Sequence, residues 1–430
     1  MAPSPEDPHL ERALAPTDRR NPWAILAETT RQEHTTMRFE KAYLPAGGYW
    51  STPFCKWGGS FANLHPLKLA AEIARTALAA REIDARQIAE VVIGWTIPSP
   101  NCFYAGPWVA GMIGAEGVTG AIVSQACATS AAALAHAAGK IEAGDNPATL
   151  VVLADKTSNG PHLVYPNPLG PGGKPDAEDW VWDSFSRDPW AKNSMLETAE
   201  NVAREAGISR EQQDALTLHR HQQYAQAKAD GFYQRYMIPV EVNPSGRKVI
   251  ATVEHDEGVF PTTAEGLAKL RPVTPDGTVT FGTQTHPADG NAGLLICTRE
   301  QAKAWSRDGE PVQLLSYAQA RVEKGLMAKA VVPAARQALA AAGLGIGDIK
   351  VIKTHNPFAV NDLYFARHME IEAESFNNYG SSLIFGHPQG PTGARLIAEG
   401  IEEARMLGGG HVLFAGCAAG DTAAAVILKV

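Results

Sequence analysis

The chain has 430 residues, 45% of them hydrophobic and 20% charged, with a formal net charge of −8. That length suits two or three packed units of an ordinary globular protein. The acidic balance, with no basic block, argues against a nucleic-acid partner, and no apolar stretch approaches a membrane span. Five cysteines (Cys55, Cys102, Cys127, Cys297, Cys417) are scattered without a CxxC pair, against both a disulfide framework and a zinc ribbon and for a reducing compartment. The opening Met1-Ala2-Pro3-Ser4-Pro5-Glu6-Asp7-Pro8 carries acids and prolines instead of a basic, then apolar, leader, so the expected location is the cytoplasm.

Residues 1–37, rich in Pro, Arg and acids, read as an extension outside the core. Apolar spacing then predicts a helix over 70–80 and a short buried strand from Ile88 to Gly94. Ala121-Ile122-Val123 reads as another strand, followed by a turn at Cys127 and a helix to about Ala143; Leu150–Ala154 is a third strand. Strands apolar on both faces and alternating with helices indicate a layered α/β fold with a largely buried sheet. From about Ser158 to Trp190 the composition shifts to Pro, Gly, Trp and Asp, and a strongly helical stretch follows from Glu197 to Ala229. This segment reads as an insertion. Strands return at Thr278–Thr280, at Leu294–Cys297 and from Val312. A helix over Val331–Ala342, a strand at Lys350–Ile352 and two last strands at Val412–Phe414 and Ala424–Leu428 complete the chain. The expected architecture is two α/β halves around an insertion: an N-terminal half from 38–158 and 274–306, an inserted domain from 159–273, and a C-terminal half from 307–430. No self-similar repeat between the halves is visible in the residues.

Cys127 stands where a strand turns into a helix, a place where the positive end of the helix dipole favours thiolate. An isolated cysteine is more often a small core residue, so its address alone decides nothing. Cys417 is followed by Ala418-Ala419-Gly420-Asp421, a tight turn whose N–H groups could cradle an oxyanion. His387 lies between Gly386 and Gly390, and His355-Asn356 directly follows a buried strand, where α/β sheets bind ligands. Zinc is the competing reading of two Cys and two His, but they lack local pair spacing. Acyl transfer through a thiol is the reading these groups favour.

Several stretches in order resemble one family, the thiolases, coenzyme-A-dependent acyltransferases that cleave or form 3-ketoacyl-CoA. They are Thr52-Pro53-Phe54-Cys55-Lys56-Trp57-Gly58-Gly59, Glu197-Thr198-Ala199-Glu200-Asn201-Val202-Ala203, Ile208-Ser209-Arg210-Glu211-Gln212-Gln213-Asp214, Asp256-Glu257-Gly258 with Leu267–Val273, and Gly386-His387-Pro388-Gln389-Gly390-Pro391-Thr392-Gly393-Ala394-Arg395. The resemblance implies a thiolase-like α/β/α/β/α fold of two similar halves, with the insertion binding CoA. It makes Cys127 the acyl-carrying nucleophile and Cys417 the acid/base. His387 activates Cys127 and helps to bind the thioester oxygen, and the backbone N–H groups of Cys127 and Ala419 form the oxyanion hole. His355 takes the place of the family's catalytic Asn, with Asn356 beside it. Thr285, Phe281, Arg220 and Met195 fall at substrate or CoA contacts. CoA and acyl-CoA are then substrates, with no resident cofactor or metal. A homodimer or tetramer follows from the same resemblance, and some thiolases work beside a small zinc-ribbon partner.

The departures bear on substrate. The usual NEAF is His355-Asn356-Pro357-Phe358 here, the usual CxGGG is Cys417-Ala418-Ala419-Gly420-Asp421, and Phe281 stands where the pantetheine tunnel expects a small residue. The expected substrate is therefore a branched or aromatic 3-ketoacyl-CoA, of the benzoylsuccinyl-CoA kind. The alternatives are a short-chain acetyl-CoA C-acetyltransferase and a non-catalytic acyl-CoA-binding subunit. Ketoacyl synthases use one Cys with two His, and Cys417 argues against that type.

Overall fold

The structure, a computed structural model, describes residues 36–430. The extension expected over residues 1–37 lies outside the described residues except for its end, where Thr36–Arg38 pairs antiparallel with Val312–Arg321.

One sheet carries the fold. Its strand order is Ile349–His355, His411–Ala418, Thr422–Lys429, Val312–Arg321, Tyr43–Leu44, Ala288–Cys297, Ala148–Lys156, Glu90–Gly94 and Ile122–Val123. The two-residue strand Tyr43–Leu44 pairs with both Ala288–Cys297 and Val312–Arg321 and so joins the halves. Each half repeats one pattern. In the first, Glu90–Gly94 runs parallel to Ala148–Lys156, which pairs antiparallel with Ala288–Cys297. In the second, Ile349–His355 runs parallel to His411–Ala418, which pairs antiparallel with Thr422–Lys429. The repeat lies in topology, which is why the residues do not display it. The last two strands are joined by the turn Ala419–Asp421 in the second half and by the whole segment 157–287 in the first. The insertion expected over 159–273 falls inside that segment.

Between the halves lie two buried helices, Thr129–Ala143 and Pro391–Met406. Nearly half of the first is alanine, so it presents little side-chain bulk and backbones approach closely. At their crossing, a Cβ on Gly393 would sit 2.9 Å from the Ser130 Cβ and 3.0 Å from Phe414. The second helix buries four charged side chains, Arg395, Glu399, Glu402 and Glu403. They are paired as buried charges must be: Arg395 forks onto Asp256 at 2.6 and 2.8 Å, and Lys353 meets Glu403 at 2.9 Å.

Two expectations change. The helical stretch from Glu197 is two helices, Met195–Ala206 and Arg210–Ala229, broken at Gly207 (φ 60°) and restarted by a capping box of Ser209 and Gln212. Thr278–Thr280 is not a strand. The N–H groups of Thr278 and Val279 donate to the Glu200 carboxylate and that of Thr280 to Thr283 Oγ1, so none of the three is left for a ladder. Among the described residues no helix is long and apolar enough to cross a membrane.

Candidate active site

The ends of the two halves' strands and buried helices converge on one cleft of about 910 Å³. Cys127 is on its floor. The chain reaches it from Ile122–Val123 through Ala126, whose φ of 44° is a left-handed value unusual for a residue with a Cβ, and enters the Thr129–Ala143 helix two residues later. This sharp turn lifts the thiol off the sheet toward the cleft.

Facing it are two imidazoles. His355 ends the Ile349–His355 strand, and His387 sits in the loop before the Pro391–Met406 helix. The Cys127 sulfur and one nitrogen from each ring all lie within 4.8 Å of one another. The rings themselves are 4.0 Å apart between centroids and tilted by 31°. Each is fixed through its Nδ1, His355 to Ser382 Oγ at 2.8 Å and His387 to Thr392 Oγ1 at 2.7 Å. Both Nε2 atoms are buried without a hydrogen-bond partner, a costly arrangement unless something arrives to fill it. Among the described residues this is also the one group of three Cys, His or acidic side chains close enough to share a metal ion.

Burial sets the proton chemistry. It pushes the Cys127 thiol up to about 12, against the pull of the backbone N–H groups of Ala419 and Cys127 itself. The helix-dipole expectation of a ready thiolate is therefore reversed in the free enzyme, because loss of water outweighs the dipole. Burial also drives His355 down to about 3 and His387 well below the usual histidine range, the latter helped by its neighbour His355. Both rings are neutral at pH 7, and His387 is free to accept a proton. The thiol needs that base.

Cys417 is fully buried at the end of His411–Ala418 and is not among the cleft-lining residues. Asn361 Nδ2 donates to its sulfur at 3.2 Å, and burial, then the neighbouring Cys127, holds its thiol far above the ordinary range. The turn after it is pinned by Asp421, which accepts from the N–H groups of Gly325 and Leu326 at 2.9 and 3.0 Å.

Thr285, Phe281 and Met195 line the cleft together with Trp180, Trp182, Phe185 and Trp190. Thr285 spends its hydroxyl proton on Ser382 O at 2.5 Å. Two expectations are corrected. Arg220 has no exposure; its guanidinium is consumed by Asp362 at 2.9 and 3.1 Å and by the carbonyls of Ala373 and Phe376, so it cannot reach a CoA phosphate. Asn356 does not face the cleft either. Its amide donates to Asp362 and Ser381, and its oxygen accepts from Ser382 Oγ and Leu383 N. The two act through a chain: Arg220 neutralises Asp362, Asp362 holds Asn356, Asn356 holds Ser382, and Ser382 holds His355. Ser382 and Asp362 carry no motif signal, because their partners are reached only through the fold; Thr392 lies in the Gly386–Arg395 stretch, five positions from the His387 it holds.

Models of the thiolase N-terminal and C-terminal domains match residues 49–300 and 310–430. The chain belongs to the thiolase family. Beta-ketothiolase BktB of Cupriavidus necator is 32% identical over 383 residues, covering 87% of this chain and 95% of the relative. The 3-oxoadipyl-CoA/3-oxo-5,6-dehydrosuberyl-CoA thiolase of Escherichia coli is 30% identical over 392 residues, covering 88% and 97%. Human mitochondrial 3-ketoacyl-CoA thiolase in complex with CoA superposes with a TM-score of 0.84 at 27% identity, covering 91% of this chain and 99% of that one. The two-half fold of the present thiolase is therefore the family's.

Proposed function

We propose that this thiolase is a CoA-dependent acyltransferase that cleaves or forms a 3-ketoacyl-CoA through an acyl thioester on Cys127, with a branched or aromatic acyl group. The observation that carries it is the convergence of two neutral, buried imidazoles on the Cys127 sulfur, with Cys127 and His387 lining an aromatic-walled cleft and His355 packed against His387.

In the cleavage direction His387 Nε2 takes the Cys127 proton, which requires Nδ1–H to be the donor to Thr392. The thiolate attacks the 3-keto carbon, and the N–H groups of Cys127 and Ala419, already beside the sulfur, receive the oxyanion. The C2–C3 bond then breaks. Its electron pair becomes an acetyl-CoA enolate whose oxygen faces the two Nε2 atoms, and Cys417 delivers a proton to carbon. Burial suits Cys417 to that part, since it keeps the thiol protonated until a carbanion forms nearby. A CoA thiol next gives its proton to Cys417 and attacks the acyl carbon, releasing Cys127. For His355 to donate through Nε2, Ser382 must turn its one O–H from Asn356 Oδ1 to His355 Nδ1, which leaves the Asn356 oxygen to the Leu383 N–H.

The aromatic walls support the substrate class. Trp180 is locked by its indole N–H on Thr96 O at 2.9 Å, and Phe281 leaves 76% of its surface open at the cleft. Flat apolar faces of this kind favour bulky apolar acyl groups. The test is a panel of linear, branched and aryl 3-ketoacyl-CoAs with free CoA. Higher kcat/KM for branched or aryl members is expected, and cleavage confined to short linear members would overturn the substrate assignment while leaving the chemistry intact.

A further inference from the structure

Of the three residues between His387 and the buried helix, Pro388, Gln389 and Gly390, the glutamine sends its side chain into the catalytic centre. Gln389 is 7% exposed and lines the cleft. The Cys127 thiol donates to its Oε1 at 3.1 Å. No other side chain accepts from that sulfur among the described residues, and His387 Nε2, the base the reaction needs, is still without a partner.

The backbone at this position is held in an uncommon conformation. Gln389 has φ 67°, in the left-handed region that residues with a Cβ avoid. Contacts on both sides keep it there. Its carbonyl accepts from Thr392 N at 3.2 Å. The next N–H, of Gly390, donates to Asp155 at 2.8 Å, and the Gly390 carbonyl accepts from Ser130 Oγ. A side chain at Gly390 would meet Asp155 Oδ2 at 2.8 Å, so the loop can close on the carboxylate only with glycine there. Asp155 in turn gathers Thr96 N, Thr96 Oγ1 and Ile97 N at 2.7–3.0 Å, tying the cleft wall to the same loop. Strain maintained by three separate partners, Thr392, Asp155 and Ser130, at a reacting centre is the pattern of a positioned functional group.

We propose that Gln389 is a further catalytic residue, whose amide oxygen holds the Cys127 proton in the resting enzyme and then stabilises protonated His387 once that proton has moved. The S–H bond breaks, an N–H bond forms at His387 Nε2, and the amide oxygen passes from accepting the thiol to accepting the imidazolium; no other group is consumed. The direction of this influence is visible at His387, where burial and His355 favour the neutral ring and the nearby Gln389 side chain opposes them. A carbonyl dipole beside a forming imidazolium in a buried site is worth more than in solution.

The proposal rests on the acyl-transfer reading only for turnover, so the test has two arms. The first measures Cys127 alkylation by iodoacetamide against pH in the wild type, Gln389→Leu and Gln389→Met, with folding followed by thermal melting. Leu removes the carbonyl, and Met also keeps the length. Alkylation at pH 7 should fall about tenfold in both, with the inflection displaced to higher pH, as expected for losing one hydrogen bond to a charged group. The second measures thiolase turnover, where kcat should fall by a similar factor with KM little changed. Alkylation that is unchanged or faster in a folded variant would overturn the proposal, whatever substrate the enzyme uses. Slower alkylation without turnover on any 3-ketoacyl-CoA would uphold it and count against the substrate reading instead.

Discussion

The imidazole rings of His355 and His387 lie 4.0 Å apart, and both turn an unpartnered Nε2 toward the Cys127 thiol. Two neutral donors or acceptors held this closely, each with its other nitrogen anchored on a hydroxyl, form a cradle for one oxygen atom. The division of labour between them is testable. His355→Ala should lower kcat for carbon–carbon cleavage by about 10²–10³, the usual effect of deleting one oxyanion donor. Cys127 alkylation should change by only a few fold, since His387 remains. Equal losses in both would mean that His355 acts on the thiol instead.

Acid should destabilise the enzyme through the same pair. Burial lowers His355 from its ordinary value to about 3 in the folded protein, whereas the unfolded chain takes up the proton near 6.5. A depressed folded value adds stability that is fully present above 6.5 and is lost as the pH falls toward 3. His355→Asn should therefore show a shallower decline in melting temperature between pH 6.5 and 4 than the wild type. Parallel curves would contradict a buried neutral His355.

Arg220 and Asp362 form a fully buried pair beneath the site. Breaking such a pair by removing one partner typically costs about 3–5 kcal/mol. Arg220→Met should lower thermal stability accordingly, and Arg220→Met with Asp362→Leu should recover part of it. KM for CoA should stay near the wild-type value wherever the variant remains folded. A raised KM at unchanged stability would return Arg220 to the ligand.

Phe281 is the most exposed of the aromatic side chains that line the cleft. Phe281→Ala should reduce kcat/KM for aryl 3-ketoacyl-CoAs about tenfold relative to short linear ones, in line with about 1–3 kcal/mol for an apolar contact. An equal rise in KM for every acyl-CoA would place the ring against the pantetheine arm instead of the acyl group.

Much of this was readable from the residues. The buried strands and the helices over 66–80, 129–143 and 331–342 follow the apolar patterning, because strands covered on both faces have no polar alternation to blur them. Cys127, His387 and His355 announce themselves as small-residue turns at strand and helix ends. What failed depended on partners far along the chain. Thr278–Thr280 has strand-like residues, but Glu200 takes its donors. Arg220 looks like a free cation on a polar helix, yet Asp362 lies 142 positions away and meets it in the interior. The break at Gly207 was legible, with glycine followed by Ser209 and Gln212 as a capping box. Gln389 stood within a quoted motif, but a φ of 67° is what aims it at the thiol, and no pattern of letters shows that.

The central claim is the acyl thioester on Cys127. Mass spectrometry of the intact protein and its peptides, after incubation with 3-ketoacyl-CoAs and without free CoA, tests it most directly. The account predicts an added acyl mass on the Cys127 peptide, absent in Cys127→Ala and discharged by CoA. No adduct on the wild type from any member of the substrate panel, or an adduct that persists in Cys127→Ala, would contradict it.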